Sequence, residues 1–504
     1  MPWLVSAACG IALWILAATG PARPALPRGL LAAAAGVVAW AALPHLPLRP
    51  EVVMLAAGLL LAVLAAGFAR DPEIAQGLQA GFLSAASVSA VLGLVQYFGL
   101  SPWFAPWANI AQAGEAYANL RQPNQYATLC WVGGAVVLFG TVPLRRPVAA
   151  GLLALLAAGS AASVSRTGML QGLVLTVLAA LWAGPARRER LQLCALAVLA
   201  YFGATVLLPV LLDLTTGAMP ARTLWGRMGG GEPCSSRIVL WSNVLHLVAM
   251  KPWTGWGWGE LDFAHFDTLY AGPRFCDILD NAHDLPLHLA VELGVPLAAL
   301  ACVGALAWAW RQRPWREAEP RRQLAWAVAA LILLHSLLEY PLWYGPFQIA
   351  FGASLGWLLA APASAGARSR LPALAGGALM AAALGYAAWD YARVTQIYIA
   401  LEERLVPWAD DTLGQVRRSW LFSGQARFAE ITLEAPDQSN AQRLYALALD
   451  VLHYSPEPRV IERAIESATL LGRDREAQAL QARYRAAFPR DYEAWRSRQR
   501  NEPR

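Results

Sequence analysis

The chain has 504 residues, of which 57% are hydrophobic and only 15% are charged, and its mean hydropathy is +0.39. Soluble domains carry roughly 25% charged residues, so the composition excludes an ordinary soluble protein and indicates a polytopic membrane protein. The formal net charge of +6 comes from arginines and the single lysine, Lys251. Because no basic tract with interleaved aromatic residues is present, the charge indicates membrane topology and nucleic acid is not an expected partner.

About twelve apolar stretches approach the roughly 20 residues that a helix needs to cross a bilayer. The N-terminal stretch has no positively charged segment before its apolar run, so we expect a retained first helix rather than a cleaved signal peptide. The sequence therefore predicts an all-α polytopic membrane protein. The predicted spans are residues 3–20, 29–47, 51–69, 77–99, 124–142, 148–164, 168–184, 191–210, 287–310, 322–339, 345–361 and 371–390.

Arginine-rich connections alternate along the chain with connections that are poor in charge. The arginine-rich set holds Arg23 and Arg28, Arg70, Arg145 and Arg146, Arg187, Arg188 and Arg190, residues 311–322, and Arg368 and Arg370. Such loops stay in the cytoplasm, so the other connections are expected on the outer face, which in a bacterium is the periplasm. These outer segments are both termini, the loop 100–123, the turn around Arg166, the long loop 211–286 and the turn 340–345.

The composition changes after Asp390 to that of a soluble helical segment. We therefore predict a transmembrane domain of residues 1–390, with the long periplasmic loop 211–286, and a C-terminal periplasmic helical segment of residues 391–504. Helical patterns continue the last span and then form pairs over about 420–490, which resembles a tetratricopeptide hairpin without a clear repeat of about 34 residues. We interpret this segment as a short helical cap that docks partners or steadies the outer loops.

A polar loop turns into a long apolar run in DNAHDLPLHLAVELGVP, residues 280–296. Asp284 can cap a helix that begins at His283, and Pro286 then falls in its first turn. A helix N-terminus disfavours the imidazolium, so a neutral imidazole at this position could act as a base. A lone histidine beside such a helix more often hydrogen-bonds a loop carbonyl, and only the surrounding motifs favour a catalytic role for His283.

Amide side chains crowd the predicted helix start in NLRQPNQYATL, residues 119–129. Gln122, Asn124 and Gln125 could bind sugar hydroxyls at little desolvation cost, next to Arg121. The sequence is equally compatible with Asn124 as only a helix cap after Pro123.

Two arginines are candidates for binding phosphate on the outer face. Arg166 falls in a short turn between two spans, although snorkelling to lipid headgroups is the common alternative. Arg237 follows Ser235 and Ser236, either of which can cap a helix on the bilayer surface, so it would stand at an anion-binding helix start. The apolar stripe of that helix is interpreted as packing and comprises Ile238, Trp241, Val244, Leu245 and Val248.

Glu339 and Tyr340 lie at an outward helix end in HSLLEYPLWYGPF, and a carboxylate at membrane depth is a functional candidate. By contrast, we expect Glu292 to pair with His288 in a structural role, and we assign no chemistry to GWGWGELDF, residues 255–263, which is predicted to be a tight turn with interfacial tryptophans. No residue pattern indicates a metal site.

Cys234 and Cys276 both fall in the long polar loop, whereas the other four cysteines lie in apolar spans. If this loop faces an oxidising compartment, a disulfide between Cys234 and Cys276 is expected.

These groups, all on one membrane face, suit a substrate with a lipid tail, a pyrophosphate and a sugar. The two arginines would neutralise the leaving pyrophosphate. His283 would take a proton from an acceptor hydroxyl as its oxygen attacks the anomeric carbon, which requires no cofactor.

Four separated motifs, in this order, resemble the bacterial O-antigen ligase superfamily, and most of all its protein O-oligosaccharyltransferases: RQPNQYATL, SRTG, DNAHDLPLHLAVELGVP and HSLLEYPLWY. The likeness covers roughly residues 50–360 and, less specifically, the C-terminal segment. It implies a fold similar to the C-type glycosyltransferases and transfer of a preassembled glycan from undecaprenyl pyrophosphate to a Ser or Thr hydroxyl of a periplasmic protein, such as a pilin, at the bacterial inner membrane and without a metal.

The resemblance also assigns roles to individual residues. It places the family's histidine at His283, its loop arginine at Arg237, its turn arginine at Arg166, its glutamine at Gln122 or Gln125, and its tyrosine at Tyr340. Asp284 departs from the family, in which many members carry Asn after the histidine. Ligation of O-antigen to lipid A core and polymerisation of repeat units are alternatives that use the same donor. A twelve-span transporter is the alternative from another class, but the sequence lacks the repeats and midplane polar residues that it predicts.

Overall fold

The computed structural model describes residues 2–20, 24–44, 48–182, 184, 186–219, 233–359 and 370–501. Within these ranges the secondary structure consists of helices and contains no strand, so the predicted all-helical class is confirmed. Arg23 and Arg368, which supported the predicted orientation, and residues 220–232 of the predicted long loop lie outside the described ranges.

Within the described residues, each predicted span contains helix. The α-helices up to Thr395 are α1 (Pro2–Thr19), α2 (Arg28–Ala42), α3 (Pro50–Phe68), α4 (Pro72–Tyr97), α5 (Pro123–Phe139), α6 (Arg146–Ala162), α7 (Arg166–Leu181), α8 (Arg187–Thr216), α9 (Arg237–Met250), α10 (Leu261–Asp267), α11 (Leu285–Leu293), α12 (Val295–Gln312), α13 (Pro320–Ser336), α14 (Gly345–Leu358) and α15 (Leu371–Thr395). Among the described residues α1, α3, α4, α8 and α15 are long and apolar enough to cross a membrane. Membrane character is thus confirmed, while the number of spans stays a prediction.

Several helices begin at a capping side chain followed by proline. Asp71 accepts a hydrogen bond from the backbone N–H of Ile74 at the start of α4, and Glu319 accepts one from that of Arg322 at the start of α13. Pro72 stands at the first helical position, where the missing N–H has no helical partner to lose. The residues around each helix start therefore determine where that helix begins.

The chain divides into two compact units. Unit 1 comprises Met1–Ala34, Ala57–Gly230 and Gly304–Met380, and unit 2 comprises Ala35–Ala56, Gly231–Val303 and Ala381–Arg504. In unit 1 a single large apolar cluster joins α4 to α8 with α13 and α14, and it fully buries Tyr126, Phe139 and Trp182. The polar side chains of unit 1 that are discussed below are set among these apolar residues.

Arginine-rich connections meet at one end of unit 1. Arg190 donates to Gln323 Oε1 at 2.8 Å, and Arg322 donates to Leu358 O at 2.9 Å. Arg70 donates to Leu359 O at 3.2 Å. The side of the membrane on which these connections lie stays a prediction.

Unit 2 has its own apolar clusters. One packs Leu240, Val244 and Leu247 of α9 against α10 and α11. Another belongs to the C-terminal helices, where consecutive helices pack together and bury alanines such as Ala448 and Ala464 at their crossings, as the helical pairing predicted. These helices are α16 (Val406–Ala409), α17 (Thr412–Val416), α18 (Ser423–Leu433), α19 (Ala441–Leu452), α20 (Pro458–Leu470), α21 (Asp474–Ala487) and α22 (Pro489–Asn501).

A buried carboxylate links three parts of unit 2. Glu260, between α9 and α10, is almost fully buried and forms an ion pair with Arg49, just before α3. Its other oxygen lies 2.6 Å from Nδ1 of His453, directly after α19. Segments that lie far apart in the sequence are thereby joined at one side chain.

The predicted single span 287–310 is wrong, because the chain forms two helices, α11 and α12, separated by Gly294. Gly294 has φ of 88°, and a Cβ atom at this position would lie 2.3 Å from the carbonyl oxygen of Trp253. Both the backbone conformation and the close approach require glycine. The apolar run therefore bends where a neighbouring backbone passes within contact distance.

The stretch 255–263 was predicted to be a tight turn without chemistry, but residues 261–263 belong to α10 and only residues 255–260 connect the helices. This connection stabilises the break. Trp256 N donates to Val291 O at 2.8 Å, and Gly257 N donates to Glu292 O at 2.9 Å. The interruption deprives the last carbonyls of α11 of helical partners, and the turn supplies donors for them.

Two helix boundaries and one apolar stripe also differ from the predictions. Helix α8 runs to Thr216 and ends at Gly217, so the long connection starts later than residue 211. Helix α15 ends at Thr395, although the pattern predicted helix beyond it, because Gln396 Oε1 accepts a hydrogen bond from Leu405 N and folds the chain back. In α9 the predicted apolar stripe is only partly right, since Ile238 is 81% exposed while Leu240 is buried in its place.

Replacing Gly294 by Ala should destabilise the protein, because an L side chain at this φ alone costs about 1–3 kcal/mol and the collision with Trp253 adds to it. Thermal unfolding in detergent measures the effect. Gly304→Ala is the matched control, since nothing lies within 4 Å of a Cβ there, and it should not lower the unfolding temperature. Equal behaviour of the two variants would contradict the role of Gly294.

Candidate functional site

Each candidate residue lies in one of the two units, which are described separately. Unit 2 holds Arg237, His283 and the two loop cysteines. Unit 1 holds Arg121, Gln122, Asn124, Gln125, Arg166, Glu339 and Tyr340.

Gln122, not Asn124, caps α5. The side chain of Gln122 accepts a hydrogen bond from Gln125 N at 2.6 Å, and Pro123 takes the first helical position. Asn124 follows at the second position, so the alternative in which it only caps the helix is wrong. The amide of Asn124 is thereby left available for other contacts.

Asn124 brings three of the predicted motifs together. Its Oδ1 accepts a hydrogen bond from Ser165 Oγ at 2.6 Å, directly before α7. Its Nδ2 donates to Glu339 Oε1 at 3.3 Å, in the turn after α13. The half-buried ring of Tyr340 stacks on that of Tyr344 with centroids 6.1 Å apart. Unit 1 therefore gathers an amide, a hydroxyl and a carboxylate at one point.

Two guanidinium groups border this cluster in sequence. Arg166 is exposed and is the first residue of α7, because the preceding span ends at Ala162 and Ser165 caps the new helix. The connection comprises residues 163–165, two residues earlier than the predicted 165–167. Arg121 is also exposed, and its Nε donates to Asn109 Oδ1 at 3.2 Å. Positive charge is available at the N-terminal ends of both α5 and α7.

Three candidate helix starts share an unusual backbone. Six non-glycine residues in the described ranges have positive φ, and three of these precede a helix cap directly. They are Arg121 (φ 60°) before the cap Gln122, Val164 (φ 54°) before the cap Ser165, and His283 (φ 52°) before the cap Asp284. Left-handed conformations are unfavourable for these residues and cluster at functional sites.

In unit 2, His283 stands just outside α11 rather than within it. The helix begins at Leu285, and Asp284 is its cap, accepting a hydrogen bond from Leu287 N at 2.9 Å. The expected start at His283 is therefore wrong, while the expected capping role of Asp284 is confirmed. The backbone N–H of His283 donates to Asn281 Oδ1 at 2.8 Å, and this bond fixes the left-handed turn.

Contacts with α9 hold the His283 loop in place. Trp241 Nε1 donates to Ala282 O at 3.1 Å. A disulfide joins Cys234, just before α9, to Cys276, and their Cα atoms are 5.5 Å apart. Arg237, the first residue of α9, is half-buried beside the cap Ser236. The disulfide therefore ties the helix that carries Arg237 to the segment that leads to His283.

The sequence analysis missed a buried histidine behind this loop. His265 is 4% exposed, with Nδ1 2.9 Å from the Tyr270 hydroxyl and Nε2 3.2 Å from Phe275 O. Burial and, to a smaller extent, the nearby guanidinium of Arg274 lower the pKa of His265 to about 3. No motif marks this residue, because only the tertiary fold buries it.

It also missed the polar residues beneath Asn124. Thr128, Gln171 and His335 are buried in unit 1 and form hydrogen bonds with one another. A signal was present, since Thr128 follows Asn124 by four residues and His335 precedes Glu339 by four, which places each pair on one helical face.

Two family models match the chain. The one described as "Virulence factor membrane-bound polymerase, C-terminal" matches residues 323–502. The one described as "O-Antigen ligase" matches residues 151–302, which contain Arg166, Arg237 and His283. Over residues 151–302 the chain is similar to the O-antigen ligase family.

Two proteins of Acinetobacter baylyi (strain ATCC 33305 / BD413 / ADP1) are similar to this chain. It is 25% identical to a "General O-oligosaccharyltransferase" over 294 residues, which are 56% of this chain and 50% of that protein. It is 24% identical to a "ComP-specific O-oligosaccharyltransferase" over 251 residues, 49% of this chain and 44% of that protein. The chain thus spans about half the length of the curated relatives it matches. No solved structure matches it significantly.

Acidification should destabilise the unit that carries the His283 loop. The pKa of His265 falls from its usual 6.5 to about 3 on folding, so the unfolded chain binds a proton below pH 6.5 that the folded chain excludes. The stabilisation is complete above pH 6.5 and is lost as the pH falls towards 3. From about pH 7.5 to about pH 5 the expected loss is about 2 kcal/mol.

Thermal unfolding in detergent at the two pH values tests this expectation. His265→Gln retains a hydrogen-bonding side chain but does not titrate, so its unfolding temperature should fall less on acidification. If wild type and variant respond equally, His265 is not the group responsible.

Proposed function

We propose that the chain is a glycosyltransferase of the bacterial inner membrane that transfers a preassembled glycan from undecaprenyl pyrophosphate to a Ser or Thr hydroxyl of a periplasmic protein. The observation that carries this proposal is His283. It is held in a left-handed turn before the α11 cap, and it lies within the segment that matches the O-antigen ligases. The names of the relatives support a protein acceptor.

The proposed step is a displacement at the anomeric carbon. The imidazole of His283 takes the proton of the acceptor hydroxyl, whose oxygen forms a bond to the anomeric carbon. The bond from that carbon to the pyrophosphate breaks on the opposite face, so the configuration inverts and the electron pair leaves with the phosphate oxygen. Arg237 and Arg166 neutralise this leaving group, and the step needs no metal.

The remaining candidates bind the donor or the acceptor. Amide and carboxylate groups suit sugar hydroxyls, because each can form directed hydrogen bonds with them. In this proposal the contacts among Asn124, Ser165 and Glu339 preorganise that surface, and the exposed Arg121 attracts the diphosphate. The proposed binding residues are Arg121, Gln122, Asn124, Gln125, Glu339 and Tyr340.

The description of one matching family as a polymerase, and of the other as a ligase, favours two related functions as the second candidate. These are ligation of O-antigen to lipid A core and joining of repeat units. Mass spectrometry of periplasmic proteins with and without the gene separates the candidates. Loss of glycopeptides is the expected result, whereas unchanged glycopeptides with loss of the O-chain from lipopolysaccharide would overturn the choice of acceptor.

Replacing His283 by Ala should lower transfer by roughly 10²- to 10⁴-fold, the usual contribution of a general base, while the protein is still made and inserted. Glycopeptide yield per unit of membrane-inserted protein is the measurement. His246→Ala is a matched control, because His246 is an exposed histidine of α9 in the same unit. Substantial residual transfer in the His283 variant would remove this residue as the base.

The disulfide tests the proposed orientation, because only an oxidising compartment maintains such a bond. Peptide mapping of the protein from native membranes without reductant should recover Cys234 joined to Cys276, with the four remaining cysteines as thiols. Free thiols at both loop positions would place this loop on the cytoplasmic side and contradict the proposal.

A further inference from the structure

Beneath the contacts of Asn124, unit 1 buries a second set of polar side chains that the proposed chemistry does not use. We call Asn124, Ser165 and Glu339 the outer layer, and Thr128, Gln171 and His335 the inner layer. All three inner side chains are fully buried. The two layers are about one helical turn apart, because their members are four residues apart both along α5 and at the end of α13.

The inner layer is centred on the hydroxyl of Thr128. This hydroxyl donates to Asn124 O at 2.8 Å and accepts from Gln171 Nε2 at 2.8 Å. His335 Nδ1 lies 2.8 Å from the same oxygen. Since the single hydroxyl hydrogen is already used, the hydrogen bond forms when Nδ1 carries the ring proton and donates it to Thr128. One hydroxyl thus joins α5, α7 and α13.

One atom of His335 destabilises the fold, and helix packing alone does not explain why the residue is present. Its Nε2 is buried and has no hydrogen-bond partner among the described residues. An unsatisfied buried polar atom destabilises a fold, so such atoms call for an explanation in function. Polar residues that only hold membrane helices together gain from satisfied hydrogen bonds, and an apolar side chain would avoid the cost at Nε2.

We propose that His335 is a positioning residue of the transferase, which acts through Thr128 to fix the outer layer for the substrate. The inference rests on the proposed function, because it requires that Asn124 and Glu339 contact the lipid-linked glycan. The two bonds of Thr128, to the Asn124 carbonyl and to His335, set the distance between α5 and α13 one turn below these side chains.

A positioning role predicts an effect on turnover rather than on stability alone. Misplacement of a substrate contact by about 1 Å lowers turnover by about 10²-fold even when the substrate still binds. Loss of the inner layer should therefore lower kcat by about tenfold or more, and change KM for the undecaprenyl-pyrophosphate glycan much less.

Three substitutions of His335 separate its two nitrogens. An asparagine amide can replace Nδ1 as the donor to Thr128, so His335→Asn should retain most of the turnover. A glutamine amide reaches the position of Nε2 instead, and a leucine side chain has no donor. His335→Gln and His335→Leu should therefore both lose most of the turnover. Rescue by Gln and not by Asn would overturn the proposal, as would equal turnover in all three variants.

Thr128→Val removes the central hydroxyl while keeping the shape of the side chain. Thr176→Val in α7 is its matched control, because Thr176 likewise donates to the carbonyl four residues earlier, Gly172 O at 2.9 Å, but belongs to neither layer. Thr128→Val should lose turnover, whereas Thr176→Val should keep it. A similar kcat in the two variants, at similar unfolding temperatures, would show that the inner layer does not position the site.

These measurements use the full chain in membranes and the product that the wild type itself forms, on protein or on lipid. A wild type that modifies only lipid A core would refute the proposed acceptor and leave the test of His335 intact. An active wild type with an unaffected His335→Leu variant would refute the positioning role and leave the proposed function intact.

Discussion

The amide of Asn124 connects segments that lie more than two hundred residues apart in the sequence. It accepts from Ser165 before α7 and donates to Glu339 after α13, while its own backbone carbonyl accepts from Thr128. A hydrogen bond between helices in an apolar core has few competitors, so each of these contacts fixes a helix end. The arrangement of polar groups in unit 1 depends on this one side chain.

A common construction unites candidate residues of both units. In each case a capping side chain starts a helix, and the residue before the cap is left-handed, as at Arg121, Val164 and His283. The hydrogen bond from the cap to an N–H of the first turn offsets part of the strain of the left-handed residue. A backbone turned in this way cannot relax without uncapping the helix, so the residue before the cap is held in a defined position.

Local sequence predicted much of this molecule. The helices could be located because lipid demands long apolar runs. The cap at Asp284 could be found, and that of α9 narrowed to Ser235 or Ser236, because such side chains bond within their own helix start. The break at Gly294 could not, since a glycine in an apolar run suits a helix and only the approach of Trp253 decides otherwise. The partners of Thr128 and the burial of His265 likewise depend on elements distant in sequence.

The sequence predicted the residues of the candidate site better than the contacts between them. Residue types and their order along the chain identified the polar clusters, and they also located the cysteine pair. They left open whether Asn124 only caps α5 and did not identify Gln122 as the cap, because the two amides have the same chemistry and differ only in the backbone that carries them. The sequence could propose that such groups act together, but it could not supply the hydrogen bonds that orient them.

Glu260 has a consequence for how the chain can be dissected. Its carboxylate, 5% exposed, is shared between Arg49 before α3 and His453 after α19. A truncation before residue 453 would therefore leave this buried carboxylate with one partner fewer. The C-terminal helices therefore help to stabilise the connection between α9 and α10, which carries Glu260. The two segments should be kept together when the chain is exchanged or engineered.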